Sequence, residues 1–306
     1  RSPMRAGMHL VFVVALSVGL VHARSTAAQV PSPPNARKVA LNIFNSAGGY
    51  VDDLTADDFV VKEGGKARDV VAVRPARGLM QIALIVDDNG TGLFRAPLYR
   101  FVQRLQGRAE FAIVTVVGQP LKLTDYTMDG KVLTEVLTSL SARPGTPDGG
   151  QLLQGIYEAA RDLEKREAPR PIIIALSVPG EEHSTLPARH VLDKLKDSGA
   201  ALHVFLVAAS ASRQTAAVTR PSALLEENMN LGEVLGDGSK QSGGRREDIV
   251  ASAGALTGLQ QLAEDLLHQY VIEYDLPPGT KPSDRISVSA KRKGVTLRVP
   301  TRIPNR

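Results

Sequence analysis

Residues 81–92 read QIALIVDDNGTG, an apolar run that ends in the carboxylate of Asp87 and continues into small polar or turn-forming residues, including Asn89 and Thr91. A buried strand that delivers Asp-x-Asn-x-Thr to its carboxyl end places several oxygen ligands on one tight loop. Open α/β sheets bind ligands at that edge, and oxygen ligands suit Mg²⁺ or Ca²⁺. This stretch therefore predicts a binding loop at a sheet edge.

Apolar strand-like segments alternate with helical patterns from residue 79 onward. The strand-like segments cover 80–86, 111–117, 171–176 and 202–207, and the helical patterns cover 94–106, 128–140, 150–165, 187–198 and 257–268. Short strands that are apolar on both faces and separated by helices are typical of a mainly parallel sheet with right-handed crossovers. The alternation predicts an α/β domain over residues 78–268.

Both ends of the chain are rich in β-type patterns. Residues 38–77 contain alternating strands and a Gly64-Gly65 hairpin turn with a return strand at 70–73. Residues 269–303 contain further strands, with a hairpin turn at Lys293-Gly294. Because these segments bracket the α/β part, we expect them to pack together as one accessory β module.

Residues 209–250 interrupt this order with many Ser, Gly, Arg and Asn residues. Such a composition favours a flexible insertion, with one short helix near residues 221–235.

The N-terminal region has the features of an export signal. A basic residue follows Met4, an apolar segment covers 9–21, and small residues precede Gln29. We expect a removable signal peptide at 4–28 and a Pro-rich linker at 29–37. An uncleaved anchor is the alternative, and a second candidate cleavage site ends at Ala23. Export places the protein in the periplasm or outside the cell, with no transmembrane span after signal cleavage.

The amino-acid composition argues against some classes of binding partner. Aromatic residues make up 4% of the chain and Trp is absent, which argues against a stacking platform for nucleic acid or sugar. The net charge is +5, and the main basic clusters are Lys291-Arg292-Lys293 and Arg245-Arg246. Solvated strand ends and loops explain these clusters better than a nucleic-acid surface.

Motifs for catalysis are missing from the sequence. It has no cysteine, no phosphate-binding G-x-x-x-x-G-K-[ST], no G-x-S-x-G nucleophile elbow and no H-E-x-x-H. The sequence therefore predicts a protein that is not an enzyme.

Three stretches together resemble the von Willebrand factor A-related proteins common in acidobacterial exported proteomes. The first is VALNIFNSAGGYVDDLTADDFVVKEGGKARDV, the second is IALIVDDNGTG, and the third is LAEDLLHQYVIEYDLPPGT with RISVSAKRKGVTLRV. The first and third are fairly specific together. The resemblance covers roughly residues 38–303.

The resemblance implies a Rossmann-like A domain with a metal-ion-dependent adhesion site built by three loops at the carboxyl edge of its sheet. The first loop would use Asp87, Asn89 and Thr91 as ligands for Mg²⁺ or Ca²⁺. Asn89 and Thr91 stand where the family has serines, and both keep an oxygen ligand.

The second loop departs from the family pattern. The family places a threonine after a Gly-Gly pair, whereas Gln151 follows Gly149-Gly150 here. A glutamine offers a carbonyl oxygen on a longer side chain. Thr146 and Asp148 are possible substitutes.

The third loop departs further. The family ends its strand in Thr-Asp-Gly, whereas this chain has Val178-Pro179-Gly180. The carboxylate expected there is absent, and Glu181 and Glu182 come just after. Because a divalent cation gains affinity from carboxylates and rigidity, the departures predict a degenerate site.

Three functions follow from these features. The first is an exported, non-catalytic protein-interaction or adhesion module that contacts a protein or cell-surface ligand through the degenerate site. The second is a metal-independent structural or assembly subunit of the cell envelope. The third, for which no nucleophile stands out, is a hydrolase on a Rossmann-like fold.

Overall fold

A computed structural model describes residues 35–140, 150–207, 222–250 and 252–305, with the backbone alone for 222–225 and 252. The predicted signal peptide at 4–28 and most of the linker at 29–37 lie outside these ranges. Within them, no helix combines the length and apolarity needed to cross a membrane.

The described elements follow one another in this order. The strands are β1 (Arg37–Asn45), β2 (Phe59–Glu63), β3 (Lys66–Arg68), β4 (Val70–Pro75), β5 (Met80–Asp87), β6 (Ala109–Thr115), β7 (Leu121–Thr127), β8 (Pro171–Ser177), β9 (Ala201–Val207), β10 (Arg246–Ile249), β11 (Tyr270–Tyr274), β12 (Ile286–Ala290) and β13 (Val295–Arg298). The helices are α1 (Arg95–Arg104), α2 (Gly130–Ser139), α3 (Leu152–Lys165), α4 (Ala188–Ser198), α5 (Ser222–Glu233) and α6 (Ser252–Leu267), with short helical turns at Ala56–Asp58, Val234–Gly238 and Ser239–Gln241.

A six-stranded sheet with the order β10-β9-β8-β5-β6-β7 forms the centre of the α/β part. All neighbouring strands are parallel except β7, which runs antiparallel to β6 at one edge. Numbered from β5, the order is 3-2-1-4-5-6, that of a doubly wound α/β sheet. The predicted α/β fold class, a mainly parallel sheet flanked by helices, is confirmed.

Strand β5 is apolar on both faces because helices cover both sides of the sheet. Ile82, Leu84 and Val86 face one core with α1, α2 and α6. Ala83 and Ile85 face a second core with α3 and α4. A strand buried on both faces loses the period-two alternation of a half-exposed strand, which is why the run at 82–86 is continuously apolar.

Two antiparallel sheets combine the two ends of the chain. One has the order β13-β1-β11-β4 and the other β12-β2-β3. A shared apolar core that includes Leu41, Phe59, Val61, Ile272 and Tyr274 lies between them. The sheets from both ends agree with the expected accessory module, while its boundaries at 77/78 and 268/269 stay predictions.

The two expected hairpins turn out differently. The turn at Gly64-Gly65 joins β2 to β3 as predicted, but the return strand is β3 rather than 70–73, which pairs with β11 as part of β4. The junction at Lys293-Gly294 connects strands of two sheets, since β12 pairs with β2 and β13 pairs with β1. A glycine-containing pair of residues predicts a turn, but it does not determine with which strand the following strand pairs.

Part of the expected flexible insertion at 209–250 has regular structure. Residues 222–250 form α5, the short turns and β10, which pairs in parallel with β9. Val234, Leu235 and Ile249 are buried. Burial of these scattered apolar side chains stabilises the segment despite its polar composition. Residues 208–221 lie outside the described ranges.

The arginines of the two basic clusters are paired with carboxylates in this fold. Arg245 contacts Asp265, Arg246 contacts Asp248, and Arg292 contacts Asp53.

Candidate functional site

The carboxyl ends of β5 and β8 lie side by side at the centre of the sheet. Asp87 is in register with Ser177 across this pair. The chain turns to one side of the sheet after β5 and to the other after β8, so the two residues mark the topological switch point. Doubly wound sheets bind ligands in the crevice at that point.

Asp87 is held in place by β8. Ser177 Oγ donates a hydrogen bond of 2.9 Å to Asp87 Oδ2, with the Val178 carbonyl oxygen at 3.0 Å as its second acceptor. The Val178 N–H donates to the Asp87 carbonyl oxygen at 2.9 Å. Burial raises the pKa of Asp87 to about 7; the hydrogen bond from Ser177 lowers it, and the charges of Glu182 and Asp88 raise it further. Perturbed carboxylates of this kind concentrate at functional sites.

Gly150 brings the second loop against Asp87. A Cβ on this residue would lie 2.8 Å from the Val116 carbonyl oxygen and 3.0 Å from Asp87 Oδ1. Any other residue would push the loop away from the carboxylate. The glycine is therefore required by close approach, which the Gly149-Gly150 motif alone does not reveal.

Backbone hydrogen bonds join the second and third loops. The Gly150 N–H donates to the Glu181 carbonyl oxygen at 3.0 Å, and the His183 N–H donates to the Gly150 carbonyl oxygen at 2.8 Å. The Gln151 N–H donates to the Val116 carbonyl oxygen at 3.1 Å. The described parts of both loops are fixed to each other and to the end of the sheet.

Asp88 organises the first loop from inside. It is 2% exposed, and its carboxylate accepts hydrogen bonds from the Gly90 N–H at 3.0 Å and the Gly92 N–H at 2.9 Å. Burial raises its pKa, and these bonds lower it. The turn leaves Asn89, with φ of 49°, and Thr91 exposed at the surface. Asp88 therefore stabilises the conformation of the loop. Asn89 and Thr91 are the polar side chains that this loop exposes to solvent.

Glu182 supplies the N-terminal cap of α3. It is 3% exposed, and its carboxylate accepts from the Leu152 N–H at 2.9 Å and the Leu153 N–H at 3.3 Å. Burial raises its pKa, and its hydrogen bonds offset part of that rise. The N-cap residue Gln151 makes no capping bond with its own side chain. A carboxylate at the positive end of a helix satisfies N–H groups that lack helical partners.

These contacts engage two of the carboxylates near the divalent-cation site that the resemblance implies. The carboxylates of Asp88 and Glu182 are already hydrogen-bonded to backbone N–H groups, which leaves Asp87 and the more exposed Glu181 as the other acidic groups of the described loop residues. Over the described ranges, no group of three His, Cys, Asp or Glu residues is arranged to hold a metal ion. The possible substitutes Thr146 and Asp148 lie outside those ranges.

The site residues predicted from the sequence occupy different positions in the structure. Asp87 and Val178 meet at the ends of β5 and β8, and Gln151 is the N-cap residue of α3. Asn89 and Thr91 lie exposed on the first loop. Ser177 is the residue that the sequence reading missed. Its position at the end of an apolar strand, matching that of Asp87, was the available signal.

Comparison with known proteins gives matches at the level of structure. No protein-family model matches the chain, and no curated protein matches it. Solved structures that match include proximal thread matrix protein 1 from the mussel byssus, with a TM-score of 0.46 and 10% identity over 64% of this chain and 50% of that one. The pilus adhesin SpaC from Lactobacillus rhamnosus GG gives a TM-score of 0.44 and 11% identity over 86% and 48%.

A von Willebrand factor type A protein from Catenulispora acidiphila also matches, with a TM-score of 0.42 and 12% identity over 89% of this chain and 74% of that one. The chain spans about half the length of the mussel and Lactobacillus proteins. These values describe a likeness of fold only, and the fold class rests on the strand order of the sheet itself.

Proposed function

We propose that this chain is an exported, non-catalytic protein-interaction module that contacts its partner through the carboxyl edge of its central sheet. The observation that carries this proposal is the half-buried carboxylate of Asp87 at the switch point, held by Ser177 and surrounded by loops that are bonded to one another. Export is inferred from the signal-like segment at 4–28.

The bonded loops suit a recognition surface. Binding costs free energy when loops must be ordered, and a surface that is already fixed avoids part of this cost. The exposed side chains of Asn89 and Thr91 lie on the same loop as Asp87 and supply polar contacts. We assign these three residues to the contact surface.

The proposed interaction does not depend on a resident metal ion. A divalent cation needs about six oxygen ligands and gains affinity from carboxylates. Here the Glu182 carboxylate caps α3 and the Asp88 carboxylate closes its own loop, so both already bind backbone N–H groups. The degenerate site is a direct polar contact point in this proposal.

The position of the Ser177 hydroxyl, which is bonded to Asp87, argues against hydrolysis at this site. Ser177 is 8% exposed and donates to Asp87, so its oxygen does not face a substrate. Among the residues that the structure describes, histidine takes no part in this hydrogen bond. A nucleophile needs both access and a base.

Site-specific photo-crosslinking in the producing organism tests the contact edge. A photoreactive residue replaces Thr91 in the first loop or Gly180 in the third, and Leu79, exposed just before β5 at the opposite edge, serves as the control position. We expect a discrete protein adduct from the two loop positions, weakened by Asp87→Asn, and none from Leu79. Adducts of equal yield from Leu79, or none from the loops, would contradict the proposal.

A further inference from the structure

A cleft lies between the accessory sheet and the amino-terminal ends of β8 and β9, at the edge of the sheet opposite Asp87. It has a volume of about 270 Å³. One wall comes from β1 and β11, and the other comes from the start of β8, the last turns of α4 and the segment that leads to β10. The cleft is therefore separate from the proposed partner-binding edge.

The walls of the cleft are largely aliphatic. Alternation along β1 buries Val39 in the accessory core and turns Lys38 and Ala40 to the opposite, exposed face. Val271 of β11 is in register with Ala40. Leu195 of α4 and other apolar residues complete the lining, and none of the lining residues within the described ranges is aromatic. Such a surface suits an aliphatic chain better than a flat ring.

The charged groups around this lining have one sign. Lys38, Arg170, Lys196 and Arg302 line the cleft, and Asp and Glu are absent from those of its lining residues that the structure describes. Lys38, Lys196 and Arg302 have carboxylate partners outside the lining. The described lining is therefore cationic, and the carboxylate partners of three of its four cations are not among the lining residues.

Arg170 differs from the other three cations. Its guanidinium donates to the carbonyl oxygens of Ala76 at 3.1 Å, Gly78 at 3.0 Å and Leu266 at 2.9 Å, and to Gln269 Oε1 at 2.9 Å. Within the described part of the chain, no carboxylate forms an ion pair with it. Its Nε has no hydrogen-bond partner there.

The charge of Arg170 is therefore poorly compensated. Burial, followed by repulsion from Arg108, lowers its pKa to about 10, so the group stays protonated at neutral pH. A partly buried cation that is held only by neutral acceptors gains from a nearby anion. An anionic ligand in the cleft would supply that charge.

We propose that this cleft binds a small aliphatic carboxylic acid as its anion, with the chain against the apolar walls and the carboxylate beside the cationic residues. Aliphatic walls select the chain, and the uniform positive charge of the lining selects the acid over a neutral or cationic analogue. This ligand site adds to the partner-binding edge and does not depend on it.

Titration of the full chain with octanoate tests the proposal, with octan-1-ol and octylammonium as neutral and cationic analogues of equal chain length. Binding to the folded state must raise the melting temperature with ligand concentration. We expect saturable stabilisation by octanoate and little or none by the two analogues. Equal responses to octanoate and octan-1-ol would overturn the choice of an acid, and absence of any response to octanoate would overturn the site.

Two variants locate the binding. Ala40→Trp fills the cleft from an exposed position on β1, and we expect it to weaken octanoate binding by about tenfold or more. Lys38→Gln removes one cation without changing the walls, and we expect a weakening of a few-fold. Ala67→Trp, on the exposed β3, is the matched control. Octanoate affinity unchanged by Ala40→Trp, in a variant with wild-type melting temperature, would overturn the assignment.

Discussion

Ser177 Oγ and Asp87 Oδ2 lie 2.9 Å apart, at the ends of two neighbouring parallel strands. The hydrogen bond holds the carboxylate at the switch point, although burial disfavours its charge. A carboxylate that is partly removed from water when the protein folds lowers the free energy of unfolding at the pH values where it is ionised. Such a cost is retained in proteins mainly where the group serves function.

Asp87→Asn should stabilise the protein at alkaline pH and have little effect at acid pH. The pKa of Asp87 is about 7 in the folded protein against an ordinary 3.8, so the folded state retains a proton that the unfolded chain has released between these values. Wild-type stability from this group is present at low pH and is lost as pH rises through about 7. The amide keeps an acceptor for Ser177 and does not titrate.

Urea unfolding in EDTA from about pH 5 to about pH 8.5 measures this effect. We expect the advantage of the variant to grow to roughly 1–3 kcal/mol, less than the full shift implies because the carboxylate is partly exposed. Asp52→Asn, at an exposed position, is the control. A constant difference across this range would show that the charge of Asp87 is not the cause.

Divalent cations should leave the melting temperature nearly unchanged. The acidic side chains beside Asp87 are bonded to backbone N–H groups, so the described residues lack a set of carboxylates for an ion. Thermal melting with Mg²⁺, Mn²⁺ or Ca²⁺ at about 10 mM, against EDTA, should give shifts below about 1 °C. A rise that grows with ion concentration and disappears in Asp87→Asn would reveal a metal site.

Four strands of the central sheet, β5, β6, β8 and β9, could be predicted because their signals are local. The run before Asp87 is apolar on every residue, and a strand with helices on both faces requires this. By contrast, β10 contains one buried residue, Ile249, among charged ones. Its pairing with β9 depends on tertiary contacts, which the hydrophobic periodicity of the sequence does not show.

The site was harder to anticipate than the sheet. Asp87 stands out because it follows an apolar run, whereas the role of Glu182 depends on an N–H group 30 residues earlier in the chain. The need for glycine at position 150 depends on the distance to Val116 and Asp87 in the folded state. Contacts between residues far apart in the chain produce no recognisable pattern in a single sequence.

Gly150→Ala should destabilise the fold and disturb the loops around Asp87. The new methyl group would lie 2.8 Å from the Val116 carbonyl oxygen, a contact that backbone must move to relieve. We expect a loss of about 1–3 kcal/mol in the free energy of unfolding, measured in urea. Gly232→Ala in α5 meets no atom within 4 Å and should stabilise by up to about 1 kcal/mol. Similar effects of both substitutions would refute the close-approach argument.

Glu182→Ala should destabilise α3 at its start. The substitution leaves the Leu152 and Leu153 N–H groups without their acceptor, at a cost of about 1–3 kcal/mol. Glu182→Gln keeps a carbonyl acceptor and should lose less. Glu181→Ala, with a side chain that is 41% exposed, should change the free energy of unfolding by under about 0.5 kcal/mol. If Glu181→Ala costs as much as Glu182→Ala, the cap is not the reason.

Asp265→Asn should be among the most damaging single substitutions in this fold. The buried carboxylate on α6 accepts from Arg298 at 2.7 Å, Arg245 at 3.3 Å and the Tyr50 hydroxyl at 2.8 Å. Burial alone would raise its pKa, but the hydrogen bonds from Arg298, Gln261 and Tyr50 hold the pKa below its ordinary value. The stabilisation is therefore present at neutral pH and is lost on acidification.

Removal of this charge leaves two arginines without their shared partner, so we expect a loss of about 3–5 kcal/mol in urea unfolding at neutral pH. Glu264→Gln breaks the neighbouring exposed pair with Arg104 and should cost under about 1 kcal/mol. Because Arg298 belongs to β13 and Asp265 to α6, the same substitution should make the accessory sheets exchange amide hydrogens faster relative to β5. Equal acceleration in both parts would show that Asp265 does not join the accessory sheets to the α/β part.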